Sequence, residues 1–560
     1  MIRQDVAFVL CKRYSQSVLL IMKIFILLLF VCYGSSACAQ SADIILFNGK
    51  IFTSDSRQPY ARALAIKGNR IIAVGTDQRI LKLISSKTQK IDLAGRTVVP
   101  GFNDAHEHLG VFAPVGQSFT SDFSVEGPGK TAVLDSVSKL YKIARPGQWI
   151  IGPIGLAILQ DTGMRKALDS IAPDHPVYLQ VMWGHGAIVN SKALAILNIP
   201  DTAADPLGGW YARSPGSHRI TGALFEYAQW PVWHAAWTSE PGNLVNALRS
   251  YALLQLQTGI TTAQDMSCCI EPSALSRIFS EANLPLRVRI IPMPGATANG
   301  RSLSEWKKVD PHPSRLTYLS GVKYLLDGTP LEENAMMKKP YHDSPAWYGR
   351  LDIPVDTLKQ ILREALASGT QLMIHIAGDS TLALVLSLMK QLGDGETWKS
   401  RRVRIEHNAT ANITPSEAND LRAMGVLIMH TPKYNRSSHL RSLIDRGIIV
   451  GISPDGTLNP FQDIMFTSNG QDNPRENISR EQAVIAFTRT NAYAEFREKE
   501  KGTLAKGMLA DLAVLSQDIF TIPFEQLPAT KSVLTIIDGN IVYKAPGYDL
   551  GNDLPGTTDR

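Results

Sequence analysis

Residues 99–109 read VPGFNDAHEHL, which places two of the chain's 12 histidines two positions apart in a sequence of 560 residues. The Pro-Gly pair that opens the stretch is typical of a chain that enters a strand after a break. Alternate residues of a strand face the same side, so His106 and His108 present both imidazoles to one face. Two converging imidazoles suit a metal site, although two unrelated histidines would fit the same short pattern.

Seven further strand-like runs follow this stretch, and amphipathic helical runs such as VDTLKQILREALASG and STLALVLSLMKQLG lie between several of them. Alternation of strands and helices indicates an α/β fold with a parallel sheet, and eight repeats favour closure into a (β/α)8 TIM barrel. The barrel is predicted over residues 101–499, with a large insertion at about 115–255 after the first strand. The eight runs are GFNDAH, ITTAQDM, RVRIIPM, GVKYLLDG, QLMIHIAG, RVRIEHN, GVLIMHTP and GIIVGISPDG.

Short β-branched runs broken by Asn-Gly and Gly-Asn turns occur near both ends of the chain, as in ADIILFNGKIFT and ALAIKGNRIIAVG, and again in SVLTIIDGNIVYKA. This texture predicts hairpins. An isolated hairpin is only marginally stable, so both groups are expected to meet in one small β-sandwich. The composite sandwich is predicted over residues 43–100 and 500–547.

The N-terminus carries a candidate export signal. A lysine precedes the apolar run IFILLLFVCYG (24–34), and Ala37 and Ala39 have the small-x-small spacing of a signal-peptidase site. We predict a signal peptide region over residues 1–39, with Met22 as an alternative start, and a periplasmic or secreted protein. An uncleaved anchor and a lipoprotein are the alternatives.

Composition excludes several classes of protein. Hydrophobic residues make up 44% and charged residues 19%, as in a globular chain, and a net charge of +6 without a dense Lys/Arg run argues against nucleic-acid binding. No second apolar stretch is long enough for stable membrane embedding after signal cleavage. Of five cysteines, the adjacent Cys268 and Cys269 lie outside the leader, and two neighbours cannot form a stapling disulfide framework.

Side chains that can bind a metal lie at the carboxyl ends of several predicted strands. His375 ends QLMIH, His407 ends VRIEH and Asp455 follows GIIVGISP. The carboxyl ends of barrel strands form the active-site mouth, so these side chains are expected to meet the first two histidines there. Lys323 lies inside an apolar strand, where it must be neutralised or paired with an anion; a salt bridge with Asp327 is the alternative.

The motifs VPGFNDAHEHL, GVKYLLDG, MIHIAGD, RIEHN and SPDG, with the closing GTLAKGMLADLAVL and TIIDGNIVY, resemble the amidohydrolase superfamily. The nearest likeness is to its branch of YtcJ-like proteins and N-substituted formamide deformylases, and it covers nearly the whole chain after the leader. GHGAIVNSKAL in the insertion is similar to the same branch. The resemblance implies a metal-dependent hydrolase with a β-sandwich beside the barrel.

The same resemblance assigns roles to six residues. Asp455 is expected to shuttle protons and also to touch the metal, and Lys323 to be carboxylated. The expected metal ligands are His106, His108, Lys323, His375, His407 and Asp455. Departures from the family pattern occur at His430-Thr431-Pro432, where relatives tend to have Gln-Pro, and in the SPDG turn, and they bear on substrate identity.

The expected reaction is hydrolysis of a C–N bond, of the amide or N-substituted formamide type, in a small molecule. Metal-bound hydroxide would attack the carbonyl, because a metal can lower the pKa of water from about 15.7 to about 7. Hydrolysis of esters or lactones, and a lyase or isomerase reaction, remain alternatives on the same site. A catalytically inactive secreted binding protein is the alternative from another class.

Further side chains are predicted to contact the substrate, mostly from the insertion. Histidine and asparagine also serve in turns, and aromatic residues in insertions often only pack, so a structural role is the alternative for each. These candidates are His185, Asn190, Trp183, Trp210, Glu226 and His430.

The implied cofactor is one or two divalent metal ions. Nitrogen-rich ligands with a carboxylate suit zinc first, with iron or manganese as alternatives. The expected partner is the small-molecule substrate. The oligomeric state is left open, with a homodimer among the alternatives.

Overall fold

The computed structural model of the chain describes residues 41–111, 116–120, 126–297, 300–301, 303–342, 344, 346–407, 413–456 and 458–549. The signal peptide region predicted at 1–39, with Met22, lies outside the described residues. Among the helices that are described, none combines the length and the apolar character that a bilayer crossing requires.

Seven short strands occupy the first part of the chain, where β-branched runs alternate with turns. One of their sheets has the order β5-β4-β1-β6, and β1 runs parallel to β6 and antiparallel to β4. The strands are β1 (Ile44–Phe47), β2 (Lys50–Phe52), β3 (Tyr60–Ala61), β4 (Ala63–Lys67), β5 (Arg70–Gly75), β6 (Gln89–Asp92) and β7 (Thr97–Pro100).

Strand β8 (Phe102–Glu107) follows at once, and its six residues are all buried. The chain then forms a separate sheet in the order β13-β14-β12-β11-β10-β9 before it reaches β15. The strands of this inserted sheet are β9 (Gln117–Ser118), β10 (Ile150–Ile154), β11 (Val177–Val181), β12 (Gly186–Val189), β13 (Gly209–Arg213) and β14 (Ile220–Glu226).

The strands that follow are mostly short, buried and rich in Val, Ile and Leu, as parallel strands covered on both faces must be. Their bounds are β15 (Ile260–Ser267), β16 (Arg287–Pro292), β17 (Ala296–Thr297), β18 (Gly300–Arg301), β19 (Thr317–Leu319), β20 (Val322–Leu325), β21 (Leu372–His375), β22 (Arg404–Glu406), β23 (Leu427–His430) and β24 (Ile449–Ile452).

β17 and β18 pair only with each other, antiparallel, and the other strands join β8 in two parallel sheets, in the orders β19-β16-β15-β8 and β20-β21-β22-β23-β24. The sheets meet at a break between β19 and β20, where Gly321 has a φ of +81°. A Cβ there would lie 2.7 Å from Cε of Met373, so a side chain would be both strained and crowded. At the other ends of the sheets, Asn491 Nδ2 donates to the carbonyl oxygens of Asn103 and Ile452, each at 2.7 Å, and so links β8 to β24.

Three C-terminal strands complete the sheet that begins near the N-terminus: β25 (Leu512–Leu515), β26 (Ser532–Ile537) and β27 (Asn540–Lys544). The order of this sheet is β27-β26-β25-β7-β2-β3, with Ala513 opposite Val99 across the antiparallel β25–β7 pair. Leu46, Leu512 and Ile536 belong to one buried cluster that fills the space between this sheet and the β5-β4-β1-β6 sheet. The two ends of the chain therefore share one core.

Helices separate most of the parallel strands. The predicted runs VDTLKQILREALASG and STLALVLSLMKQLG form α8 and α9, and the segment SEANDLRAMG forms most of α11. The α-helices of the described residues are α1 (Asp77–Ile80), α2 (Lys130–Tyr141), α3 (Met164–Ile171), α4 (Ser191–Ile196), α5 (Trp230–Thr238), α6 (Pro241–Gln257), α7 (Pro272–Ala282), α8 (Val355–Ser368), α9 (Asp379–Leu392), α10 (Gly395–Arg401), α11 (Pro415–Ala423), α12 (Leu440–Asp445), α13 (Pro460–Asn469), α14 (Arg480–Ile485) and α15 (Asn491–Ala494).

The inserted sheet ends at Glu226, earlier than the predicted boundary near residue 255. Helix α6 packs against β15, α7 and β26. The predicted span of about 115–255 therefore includes a helix that covers the parallel strands.

Candidate metal centre

The six residues predicted as metal ligands lie together at one end of the parallel strands. His106 lies in β8, His375 is the last residue of β21 and His407 follows β22 directly. Asp455 comes three residues after β24. Lys323, in β20, reaches the same place with its long side chain, because its Nζ lies 2.8 Å from Nε2 of His106.

Asp455 lies between the imidazoles. Its Oδ1 is 3.8 Å from Nε2 of His106 and 3.8 Å from Nε2 of His108, and its Oδ2 is 3.5 Å from Nδ1 of His407. One ligand atom from each of His106, His108 and Asp455 falls within a group whose members are at most 4.8 Å apart. The ring centroids of His375 and His407 are 4.6 Å apart, which brings the remaining histidine into the same cluster.

Hydrogen bonds fix which nitrogen of the first two imidazoles faces the centre. Nδ1 of His106 lies 2.6 Å from Oε2 of Glu406, and Nδ1 of His108 lies 2.8 Å from the carbonyl oxygen of Met266. An imidazole that donates through one nitrogen offers a lone pair on the other, which is how proteins orient histidine ligands. Nε2 of each ring is therefore the atom available to a metal.

Glu406 is itself held by a buried ion pair. Arg404 donates to both of its carboxylate oxygens, through Nε at 2.8 Å and Nη2 at 3.1 Å, and also to the carbonyl of Ala105 at 2.6 Å. The side chains of His106, Glu406 and Arg404 are fully excluded from solvent. A charged pair at this depth needs such complete hydrogen bonding to offset its desolvation.

The donor set fits a metal ion. Nε2 of His375 is buried and has no hydrogen-bond partner among the described residues, although a buried polar atom without a partner is costly. Burial also lowers the pKa of His106, His375 and His407 well below the ordinary imidazole value. Neutral imidazoles are the form that binds metal, so both observations match a cation held by these three rings. At His108 burial acts to lower the pKa, but Cys268 and Asp455 outweigh it and raise the value to about 9.

Burial shifts the pKa of two other members of the cluster. It lowers the pKa of Lys323 to about 8, so the neutral amine is more populated near neutral pH than in an ordinary lysine, although it remains the minor form. It raises the pKa of Asp455, although His108 and Lys323 act in the opposite direction. The backbone at His407 and Asp455 has φ of +73° and +50°, a left-handed conformation that costs non-glycine residues about 1–3 kcal/mol each.

A cavity of about 450 Å³ opens onto the cluster. Its walls are mainly apolar, which suits a small organic ligand held by a few polar groups. The inserted segment, α5 and loops after the parallel strands all contribute. The lining includes His108, Lys323, His375, His407 and Asp455 from the cluster, and Gln180, Met182, Trp183, His185, Trp230, Trp233, Cys268, Met293, Leu325, Leu331, Thr431, Lys433, Tyr434 and Asn435 around it.

Two of the predicted substrate contacts reach this cavity. His185 lines it, with its ring centroid 4.8 Å from that of His375. Glu226 lies behind His185, and its carboxylate oxygens are 2.9 and 3.0 Å from Nδ1 of that ring. Trp183 also lines the cavity, with its indole N–H donating to Glu332. Glu226 therefore acts on the cavity through His185 and is not part of its lining.

The other predicted substrate contacts lie elsewhere. Asn190 is fully buried and caps α4, and its side chain also bonds the backbone of Ala172, His175 and Val177. Trp210 stacks on Phe225 at 4.8 Å, outside the cavity lining. The side chains of these two residues make their contacts within the insertion, and a substrate contact by either one stays a prediction.

His430 also lies outside the cavity lining. It is completely buried at the end of β23, and the cavity lining begins with the next residue, Thr431. Neither ring nitrogen has a hydrogen-bond partner among the described residues, and burial lowers the pKa of this imidazole to about 4. His430 is thus a neutral interior residue.

Sequence reasoning missed Glu406, Arg404 and Cys268. A usable signal existed for the first two, since charged residues at alternate positions of an otherwise buried strand face the same side and can pair with each other. Cys268 lies two residues past the carbonyl that orients His108, but nothing in the local pattern shows that proximity.

A family model described as "Amidohydrolase family" matches residues 89–543. The chain is 27% identical over 548 residues to Protein LONG AFTER FAR-RED 3 of Arabidopsis thaliana, with 90% of this chain and 92% of that protein covered. It is 25% identical over 557 residues to N-substituted formamide deformylase of Arthrobacter pascens, with 91% and 99% covered. A crystal structure of an uncharacterized metal-dependent hydrolase from Pyrococcus horikoshii OT3 has a TM-score of 0.66 at 19% identity, with 86% of this chain and 99% of that one covered.

Proposed function

We propose, from the premise that the chain belongs to the amidohydrolase family, that it is an exported, metal-dependent hydrolase of small molecules with an amide-type C–N bond. One observation carries the proposal. Asp455 lies within 3.8 Å of nitrogens of His106, His108 and His407 at the floor of an apolar cavity. The similarity to an N-substituted formamide deformylase supports the choice of an amide-type bond.

The cluster would hold one or two divalent ions, with zinc as the first choice because imidazole nitrogens and carboxylate oxygens are its usual catalytic ligands. Such an ion polarises a carbonyl and makes water acidic enough to act as a nucleophile near neutral pH. The proposed ligands are His106, His108, Lys323, His375, His407 and Asp455. Lys323 would bind as a carboxylated amine, which its lowered pKa supports because only a neutral amine can take up carbon dioxide.

The residues of the chain would divide the remaining work. Asp455 would accept a proton from the attacking water and return it to the leaving nitrogen, a role suited to a carboxylate whose pKa is raised by burial. His185, held by Glu226, would contact the reacting end of the substrate. Trp183, Trp230 and the other apolar walls would exclude water and hold the substrate body.

We further propose that the two parallel sheets are one closed (β/α)8 barrel. Strands β19 and β20 would count as one interrupted strand, and the Asn491 link between β8 and β24 would replace the missing ladder at the seam. The sandwich would then be the composite domain formed by residues 43–100 and 500–547, and the sheet β9–β14 the insertion.

Export is proposed from the sequence of residues 1–39, with its apolar run and small-x-small site. The protein would act in the periplasm or outside the cell. Mass spectrometry of the N-terminus of the protein from its native host tests this. A first residue close to Gln40 supports export, and a protein that still begins at Met1 contradicts it.

The central test is metal removal with a panel of substrates. Purified protein, stripped by chelator and then reloaded with zinc, iron or manganese, is assayed against matched amides, N-substituted formamides, esters and lactones. We expect amide hydrolysis to disappear on stripping and to return with one of the metals. Full activity in stripped protein would contradict the metal-dependent scheme, and turnover of esters or lactones alone would contradict the bond type.

A further inference from the structure

Two adjacent thiols follow the second parallel strand and have no role in the proposed reaction. Cys268 and Cys269 come directly after β15, and both are free and buried, at 3% and 2% exposure. Their sulfur atoms are 3.4 Å apart. Adjacent cysteines whose sulfurs point the same way form a vicinal dithiol, a group that chelates reagents which a single thiol holds only weakly.

The dithiol lies at the wall of the cavity. Cys268 is part of the lining, and its Sγ is 3.3 Å from Nδ1 of His108. The backbone here is held in place, because Nε2 of His234 lies 2.8 Å from the carbonyl oxygen of Cys268. A small molecule in the cavity can therefore contact Sγ of Cys268 directly. Sγ of Cys269 lies 3.4 Å behind it.

We propose that Cys268 and Cys269 form a binding site for trivalent organoarsenic compounds, and that its occupation blocks the cavity beside His108. This site differs from the metal cluster in two ways. Its ligands are sulfur atoms, and the atom that it binds is arsenic and not a divalent metal ion.

The geometry favours an atom that needs only two bonds from the protein. Two sulfurs 3.4 Å apart, each bound at about 2.3 Å to one central atom, subtend roughly 95° at that atom. This angle suits the pyramidal bonding of trivalent arsenic. A tetrahedral zinc site needs further ligands, and in the part of the chain that the structure describes the group of three close ligand atoms is His106, His108 and Asp455, without either thiol.

The neighbouring walls suit the organic part of the reagent. Trp230, Trp233 and Met293 line the same cavity as Cys268. An aryl group attached to arsenic would pack on these apolar side chains, and thioether sulfur makes favourable contacts with aromatic rings. The cavity volume of about 450 Å³ is large enough for a phenyl group beside the cluster.

The binding reaction balances without an oxidant. An organoarsenic oxide, R–As=O, reacts with the two thiols to form two As–S bonds. The arsenic–oxygen bond is lost, both thiol protons leave with that oxygen as one water molecule, and arsenic stays trivalent. Added dithiol reverses the reaction by exchange, because it can form the same chelate.

The test uses phenylarsine oxide with the full chain in its metal-loaded form. After treatment with one equivalent, digestion and peptide mass spectrometry, we expect the peptide with residues 268–269 to carry one phenylarsenic group and to have lost two free thiols. An excess of 1,2-ethanedithiol should remove the group, whereas the same concentration of a monothiol should not. Peptide mapping separates this site from the three cysteines of residues 1–40.

Cys269→Ser is the decisive variant, because it leaves Cys268 in the cavity wall and removes only the second sulfur. We expect at least a tenfold weaker retention of phenylarsine oxide than in the parent chain, with unchanged metal content. Equal retention in the variant, or release of the group from the parent chain by monothiol, would overturn the dithiol site. Ser217→Cys, an exposed position, serves as a control for reaction at one accessible thiol.

A second measurement tests the blockade. An arsenic atom bound beside the tryptophans that line the cavity should change their fluorescence, and hydrolytic activity should fall in proportion to the mapped adduct. An adduct at 268–269 that leaves both signals unchanged would overturn the blockade. The mass and fluorescence readouts need no turnover, so a failure of the proposed reaction and a failure of the dithiol site give different results.

Discussion

The side chain of Lys323 decides how the metal cluster is charged. Its Nζ lies 2.8 Å from Nε2 of His106, too close for two cationic groups to share the site comfortably. A neutral amine removes that repulsion, and an amine converted to a carbamate would also supply a ligand oxygen. The carboxylate of Asp327, the alternative partner of this lysine, accepts hydrogen bonds from Thr381 and from the backbone of Ala377 and Gly378.

The first prediction concerns this lysine. Lys323→Ala should reduce metal affinity by about 100-fold or more, since loss of an inner ligand exceeds the 10–100-fold typical of outer partners. Short carboxylic acids should restore part of the metal content, measured by elemental analysis after dialysis. Lys501→Ala, which removes another buried lysine, paired with Glu495 at 2.7 Å, is the matched control and should leave metal content unchanged. Normal metal content in Lys323→Ala without added acid would contradict the ligand role.

The second prediction concerns the carboxylate behind His106. Glu406→Gln should weaken metal binding by about 10–100-fold, because the imidazole loses the charged partner that orients it. It should also lower stability, since removing one partner of a buried ion pair costs about 3–5 kcal/mol. Competition with a chromogenic chelator gives the affinity and thermal unfolding gives the stability.

A control separates the two effects. Glu495→Gln removes a buried carboxylate that pairs with Lys501 and accepts from Tyr318 and Asn103. Its stability should fall while the metal affinity stays near that of the parent chain. Equal losses of affinity in the two variants would show that Glu406 acts only through general stability.

At the scale of elements, two side chains near β12 of the inserted sheet have different surroundings, one within the insertion and one in the cavity lining. Asn190 accepts from the backbone N–H of Ala193 and Val177 and donates to the carbonyls of Ala172 and His175, so one side chain joins α4 to the loop before β11. The imidazole of His185, five residues earlier, bonds the carboxylate of Glu226 and lines the cavity. The GHGAIVN stretch thus contains one residue of the cavity lining and one that caps a helix.

The third prediction follows from this division. Asn190→Ala should destabilise the protein by about 1–3 kcal/mol, because a helix cap and buried backbone groups lose their partner. His185→Ala should instead change turnover with little effect on stability. Thermal unfolding and steady-state kinetics measured on both variants test the distinction, and a KM change without a stability loss in Asn190→Ala would restore the substrate contact.

At the scale of the whole molecule, one arginine connects the parallel strands to the sheet β27-β26-β25-β7-β2-β3. Arg287, the first residue of β16, donates to Asp511 at 2.6 Å and to Asp538 at 3.0 Å. Asp511 directly precedes β25 and Asp538 directly follows β26. Arg315 also bonds Asp538. Burial acts to raise the pKa of Asp538, but these two arginines outweigh it and hold the value below 3.8.

The fourth prediction is a pH dependence of this connection. A carboxylate whose folded pKa is depressed adds stability above its unfolded value, and that contribution is lost as the pH falls through the folded pKa. Asp538→Asn should therefore lower the melting temperature at neutral pH, and the deficit should shrink as the pH is taken below 3.8. Melting curves of parent and variant at stepwise lower pH test this. A deficit that is constant with pH would mean that the charge plays no part.

Several features of the protein were determined by its sequence alone. Strand–helix alternation, the positions of β8, β15, β16 and β20–β24 and the histidines at strand ends could all be predicted, because side-chain periodicity and strand termini are local properties of the chain. The resemblance to amidohydrolases, carried by motifs such as VPGFNDAHEHL, is confirmed by the family match over residues 89–543.

Only the tertiary structure decided which side chains meet. Glu406 lies 300 residues from His106 and Cys268 lies 160 residues from His108, and no local pattern records such pairs. The same limit explains why His185 could not be told from Asn190, or Thr431 from His430, since neighbours in a sequence leave a strand or loop in different directions. Local periodicity fixes the face that a residue presents, whereas the partner on that face depends on how distant segments pack together.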